Sequence, residues 1–158
     1  QISGGTISAA TQSVNWASPG TIGSTTPNTV TATMFKGTQV TEAVSFVTPT
    51  LSAGVATFDC STGQIFEVTM TSIAANFTAN FTNLNLASGY CTTTTLILKQ
   101  GSTGYYPNVL QIGGSAVTIS WQGGSTPTGT ANKKDVVAFN ITNNAGTYAC
   151  YAQLVTFG

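Results

Sequence analysis

The stretch NFTANFTN, residues 76–83, alternates without a break. Phe77, Ala79 and Phe81 fall on one side of an extended chain, and Asn76, Thr78, Asn80 and Thr82 fall on the other. A period of two marks a β-strand with one face in a core and one in water. Outward from this stretch the pattern repeats. IFEVTM (65–70) aligns Phe66, Val68 and Met70, with Glu67 and Thr69 opposite. AVTISW (116–121) aligns Val117, Ile119 and Trp121, and DVVAFNIT (135–142) aligns Val137, Phe139 and Ile141. The closing TYACYAQLVTF (147–157) carries apolar residues on both faces, which places it between neighbours or at a subunit contact.

Turn residues separate these runs: Ser61-Thr62-Gly63, Ala87-Ser88-Gly89, Gly101-Ser102-Thr103-Gly104, Gly113-Gly114 and Asn143-Asn144-Ala145-Gly146. Gly and Asn accept the positive φ that tight hairpins demand, so NNAG between two alternating runs predicts a hairpin. No stretch shows a 3.6-residue period. Short strands spaced by turn signals predict an all-β fold, with an antiparallel β-sandwich of roughly eight strands, jelly-roll-like, over residues 51–158. Residues 1–50 are rich in Gly, Ser and Thr with scattered apolar positions. They are too poor in apolar content to close a core alone. They read as an extended, intertwined N-terminal attachment and trimerisation segment, in which Trp16, Met34 and Phe35 are the candidate attachment or trimer contacts. A flexible linker is the alternative.

Charge narrows the function. Of 158 residues, four are Lys or Arg and four are Asp or Glu, 5% in all, against about 25% in ordinary soluble domains. Hydroxyls and amides must therefore do most of the hydrating. A net charge of zero argues against nucleic acid and against anionic membranes, both of which need clustered cations. No apolar run approaches the length of a spanning helix, so no membrane insertion is expected. Gln1 is not an initiator Met, which suggests a processed or trimmed N-terminus.

Catalytic chemistry finds little to work with. Glu42, Asp59, Glu67 and Asp135 are the only carboxylates, and they read as solvated or turn-capping acids, not as a facing pair. There is no histidine to serve as the base of a nucleophile triad. No phosphate-cradling Gly motif and no CxxC occurs, so no cofactor and no metal site is expected. Cys60, Cys91 and Cys150 each lie in or beside a strand-like run. They read as buried, reduced thiols, with one disulfide plus a free thiol as the alternative. Asn76, Asn80 and Asn140 begin acceptor-type N-x-T triplets of the kind that arise by chance in a chain rich in Asn and Thr. Tyr105, Tyr106, Trp121, Tyr148 and Tyr151 are the candidate ligand or host contacts, as aromatic rings able to stack on sugars.

Residues 57–158 resemble the β-sandwich modules of tail-fibre, head-fibre and capsid-decoration proteins of tailed bacteriophages. The resemblance runs through ATFDCSTGQIFEVTMT, TLILKQGSTG, VTISWQGGSTPTGTANKKDVVAFNIT and the closing YAQLVTFG. Its most specific element is a strand ending at Trp121, then Gly123-Gly124, Pro127, a loop of small residues, and a strand from Asp135-Val136 to Phe139. The segment GGTISAAT…TIGSTTPNTVTATMF is similar to the Gly/Thr-rich lead that precedes such modules. The resemblance implies a non-enzymatic, homotrimeric structural protein on the surface of a virion. It would be a fibre or knob attached through its N-terminus to other virion proteins of capsid or tail, with contact to host-surface carbohydrate. A capsid cement protein is the alternative and a secreted adhesion module the second. Under this reading the neutral Gly123–Lys134 loop is a surface connection kept for its shape, with Asp135 capping a turn.

Overall fold

The computed structural model describes residues 41–158. The candidate attachment or trimer contacts Trp16, Met34 and Phe35 lie outside the described residues. Ten strands occur here: β1 (Val44–Val47), β2 (Val55–Asp59), β3 (Ile65–Thr69), β4 (Phe77–Thr82), β5 (Cys91–Lys99), β6 (Pro107–Ile112), β7 (Ser115–Val117), β8 (Ile119–Trp121), β9 (Lys134–Asn144) and β10 (Thr147–Phe157). They form a six-stranded sheet in the order β1-β3-β5-β9-β10-β8 and a four-stranded sheet in the order β2-β4-β6-β7. The all-β expectation holds, in a two-sheet, sandwich-like form. The larger sheet begins at Val44, on the N-terminal side of residue 51.

The strand direction differs from the antiparallel expectation. Five of the eight strand pairings among the described residues are parallel: β1 with β3, β3 with β5, β2 with β4, β4 with β6, and β8 with β10. The reason is the route of the chain. From β1 to β6 each strand lies in the sheet opposite to the one before it. The chain thus comes back to a sheet running the way it left it, and neighbours are parallel. Side-chain alternation has the same period in both arrangements and cannot report direction. Two short 3-10 turns, Cys60–Thr62 and Met70–Ser72, help the chain over from one sheet to the other. Asp59 caps the first, its Oδ1 accepting from the Ser61 amide at 2.9 Å.

Two connections are hairpins. Gly113-Gly114 joins β6 to β7, and Ala145-Gly146 joins β9 to β10. In both loops the two central residues have positive φ (57° and 86°, 49° and 86°), the conformation that matches the twist of antiparallel strands. The NNAG hairpin is therefore as expected. Its tip is tied down, with Asn143 Nδ2 donating to Leu86 O at 2.8 Å and Ser88 Oγ accepting from the Ala145 amide at 2.9 Å. The run 116–121, in contrast, is not one strand. It breaks at Thr118, and β7 and β8 belong to different sheets.

The core lies between the sheets and is built by the alternating faces. Phe77, Ala79 and Phe81 from β4 meet Phe66 and Val68 from β3 and Val137, Phe139 and Ile141 from β9, all of them buried. Four phenylalanines bridge the layers. Phe58 stands 5.2 Å from Phe66 and 5.8 Å from Phe81, and Phe81 stands 5.5 Å from Phe139 in edge-to-face geometry. Such ring pairs add about 0.5–1.5 kcal/mol each beyond the area they bury.

The loop 122–133 is held from beneath. Asp135, read from sequence as a solvated or turn-capping acid, is wholly buried. Its Oδ2 accepts from the Thr130 amide at 2.7 Å and from Gln100 Nε2 at 2.9 Å, while Oδ1 accepts from Thr156 Oγ1 at 2.7 Å. Gln100 also grips the backbone of Tyr105, donating to its carbonyl at 2.7 Å and accepting from its amide at 3.0 Å. Backbone meets backbone where Gly129 passes Gly104, and a Cβ on Gly129 would lie 2.7 Å from the Gly104 carbonyl carbon. A glycine is needed at position 129 because the loop there packs against a second loop, 100–106.

Candidate binding face

Among the described residues five of the seven large apolar or aromatic side chains left exposed, Val44, Phe46, Tyr151, Val155 and Phe157, lie on the outer face of the six-stranded sheet; Tyr90 and Val109 lie elsewhere. Strand register arranges them in rows. One row runs Phe46, Glu67, Ile97, Val136 and Val155 across β1, β3, β5, β9 and β10. The next runs Val44, Ile65, Thr95, Ala138 and Gln153 across the same strands. Phe46 is 76% exposed, Val155 43% and Val44 41%. In the apolar row the one charged residue, Glu67, pairs with Lys99 of β5 at 3.2 Å. These two rows are thus largely apolar over five strands, while Lys99 and Lys134 fall in the next row, at the end of the same face. The mixed periodicity of 147–157 predicts a strand between neighbours or at a subunit contact; β10 lies between β9 and β8, and its outward residues Tyr151, Val155 and Phe157 are exposed. Phe46 carried no such mark, because a four-residue strand is too short to show a period.

The five aromatic candidates separate. Tyr151, on β10, is 58% exposed and lines an open depression of about 460 Å3 together with Thr93, Ser120, Trp121, Asn140 and Gln153. Trp121 reaches this depression from the sheet edge but is half-buried. Its ring lies 6.3 Å from Phe139 and meets Tyr106 edge-on at 6.2 Å. Trp121 and Tyr106 therefore close the open side of the sandwich. Tyr105 and Tyr148 pack against the core.

The reactive side chains are largely engaged. Hydrogen bonds from Asn83 and Ser61 hold the Asp59 carboxyl below its ordinary value. All three cysteines are free. Burial pushes the Cys60 thiol up to about 11, with the nearby Asp59 carboxylate adding to the rise, and burial pushes Cys150 up to about 12. At neutral pH both therefore remain protonated and poor nucleophiles. The expectation of three buried thiols holds in full for Cys150; Cys60 is half-buried, and Cys91 is exposed at the start of β5. Its side chain falls on the outward phase of that strand, opposite Thr142. No group of three His, Cys, Asp or Glu able to hold a metal ion occurs among the described residues. The acceptor-type Asn76 and Asn80 spend their amide oxygens on the Tyr106 and Gly114 amides.

Comparison with protein-family models, with curated proteins and with solved structures found no match.

Proposed function

We propose that the chain is a non-enzymatic structural protein that assembles with copies of itself, as a trimeric fibre or knob on the surface of a bacteriophage virion. The observation that carries the assembly reading is the outer face of the six-stranded sheet, with Val44, Phe46 and Val155 exposed in adjacent rows. Exposed apolar patches of this kind mark contact surfaces. A second copy suits the face because a chain of zero net charge meets little repulsion from itself. The virion and the number three rest on the resemblance of residues 57–158 to phage fibre and decoration modules.

Replacing both Phe46 and Val155 with serine tests the contact. Each side chain buried between copies contributes about 1.5–3 kcal/mol, so the double variant is expected to associate at least about a hundredfold more weakly. Both positions are exposed, so circular dichroism should keep the β-signature while light scattering reports a smaller particle. Assembly unchanged by the double replacement would overturn the proposed contact.

A further inference from the structure

The chain has four cationic side chains, and three of them meet. Lys99, at the end of β5, is the register partner of Lys134, at the start of β9. Lys133 precedes Lys134, and all three line one depression of about 430 Å3 at the end of the six-stranded sheet. Phe157, 54% exposed, is the partner of Lys134 on the other side and lines the same depression.

This arrangement is unfavourable for folding alone. Like charges directly opposite on paired strands repel, and in so charge-poor a chain neutral residues were the ordinary choice. Compensation is partial. Glu67 pairs with Lys99, but among the described residues neither Lys133 nor Lys134 has an acidic partner within ion-pair distance. Asp135, the next residue, points inward and is taken up by Thr130, Gln100 and Thr156. A local rule broken without structural gain points to a functional site.

We propose that this depression binds an acidic glycan, a carboxylated or sulfated sugar. The lysine ammonium groups supply point charges for its oxyanions. The exposed ring of Phe157 offers a flat apolar surface for the C–H face of a sugar. Three cations in a pocket beside an aromatic ring suit one or two sugar residues. A nucleic-acid surface needs a longer track of phosphate contacts. The site is the next row of the same outer face, two residues along the strands from Val136 and Val155 and at the end of the sheet, and it is read from its own residues without the assembly reading.

Calorimetric titration of the full chain at low salt tests it, with a sulfated heparin-type oligosaccharide and an oligogalacturonate as ligands. Neutral dextran, inorganic phosphate and duplex DNA are the comparison arms. At least one acidic oligosaccharide is expected to bind, with dextran inert and affinity falling as salt is raised. The double variant Lys133→Gln, Lys134→Gln should lose roughly tenfold or more in affinity. Phe157→Ser should also weaken sugar binding, although it leaves the charge intact. The Phe46→Ser, Val155→Ser protein should bind as the unaltered chain does, which separates this site from the assembly contact. Failure to bind either acidic sugar would overturn the proposal, as would binding indifferent to the lysine replacements. Inorganic phosphate or DNA bound as tightly as the sugars would overturn the assignment to a glycan.

Discussion

Replacing Phe81 with alanine is expected to destabilise the protein by about 3–5 kcal/mol, the range for truncating a buried phenylalanine. Phe81 is wholly buried near the C-terminal end of β4 and touches rings from three other strands, Phe58, Phe66 and Phe139. These partners come from both sheets, so the void would open between the layers, where a rigid backbone on each side limits collapse. Stability of a domain this size is about 5–15 kcal/mol, so a large share of it would go. Urea denaturation followed by fluorescence measures the loss. A control at Tyr151, on the outer face, should cost less than about 0.5 kcal/mol. Similar losses at the two positions would contradict the assignment of Phe81 to the centre of the core.

Asp135→Ala is expected to cost about 3 kcal/mol by a different route. The carboxyl is the acceptor for three donors, the Thr130 amide, Gln100 Nε2 and Thr156 Oγ1. Alanine leaves them without it. Thr156 keeps a contact with Thr130 Oγ1 at 3.0 Å, and Gln100 keeps Tyr105 O, so the Thr130 amide bears most of the penalty. An unsatisfied buried donor costs about 1–3 kcal/mol, and hydrogen bonds to charged groups contribute about 1.5–3 kcal/mol each. The loss should be local as well as global. Proteolysis is expected to cut loop 122–133 faster in Asp135→Ala, because its anchor at Thr130 is gone. A midpoint within about 1 kcal/mol of the parent, with the loop equally resistant, would show that the network contributes little.

The sequence made the strands legible where alternation was long and clean. Phe77, Ala79 and Phe81, then Phe66 and Val68, then Val137, Phe139 and Ile141, all face the core as their spacing predicts. The hairpin at Ala145-Gly146 was legible for a chemical reason, the demand for positive φ at two successive positions. Direction and partner were not legible, since a period of two is blind to both. Trp121 shows a second limit. An aromatic at a strand end reads as exposed, yet β8 lies at a sheet edge and turns the ring back onto Phe139. Asp135 shows a third, because its burial follows from where residues 100, 130 and 156 come together in space. The same holds for the lysine cluster. Lys133 and Lys134 are adjacent in sequence, but only the register of β5 with β9 brings Lys99 beside them.

The central claim is that copies of this chain assemble through the outer face of the six-stranded sheet, and the mass in solution tests it most directly. Light scattering over a concentration series into the micromolar range is expected to give three times the 16.2 kDa of one chain. A particle of 16.2 kDa at every concentration would contradict the account.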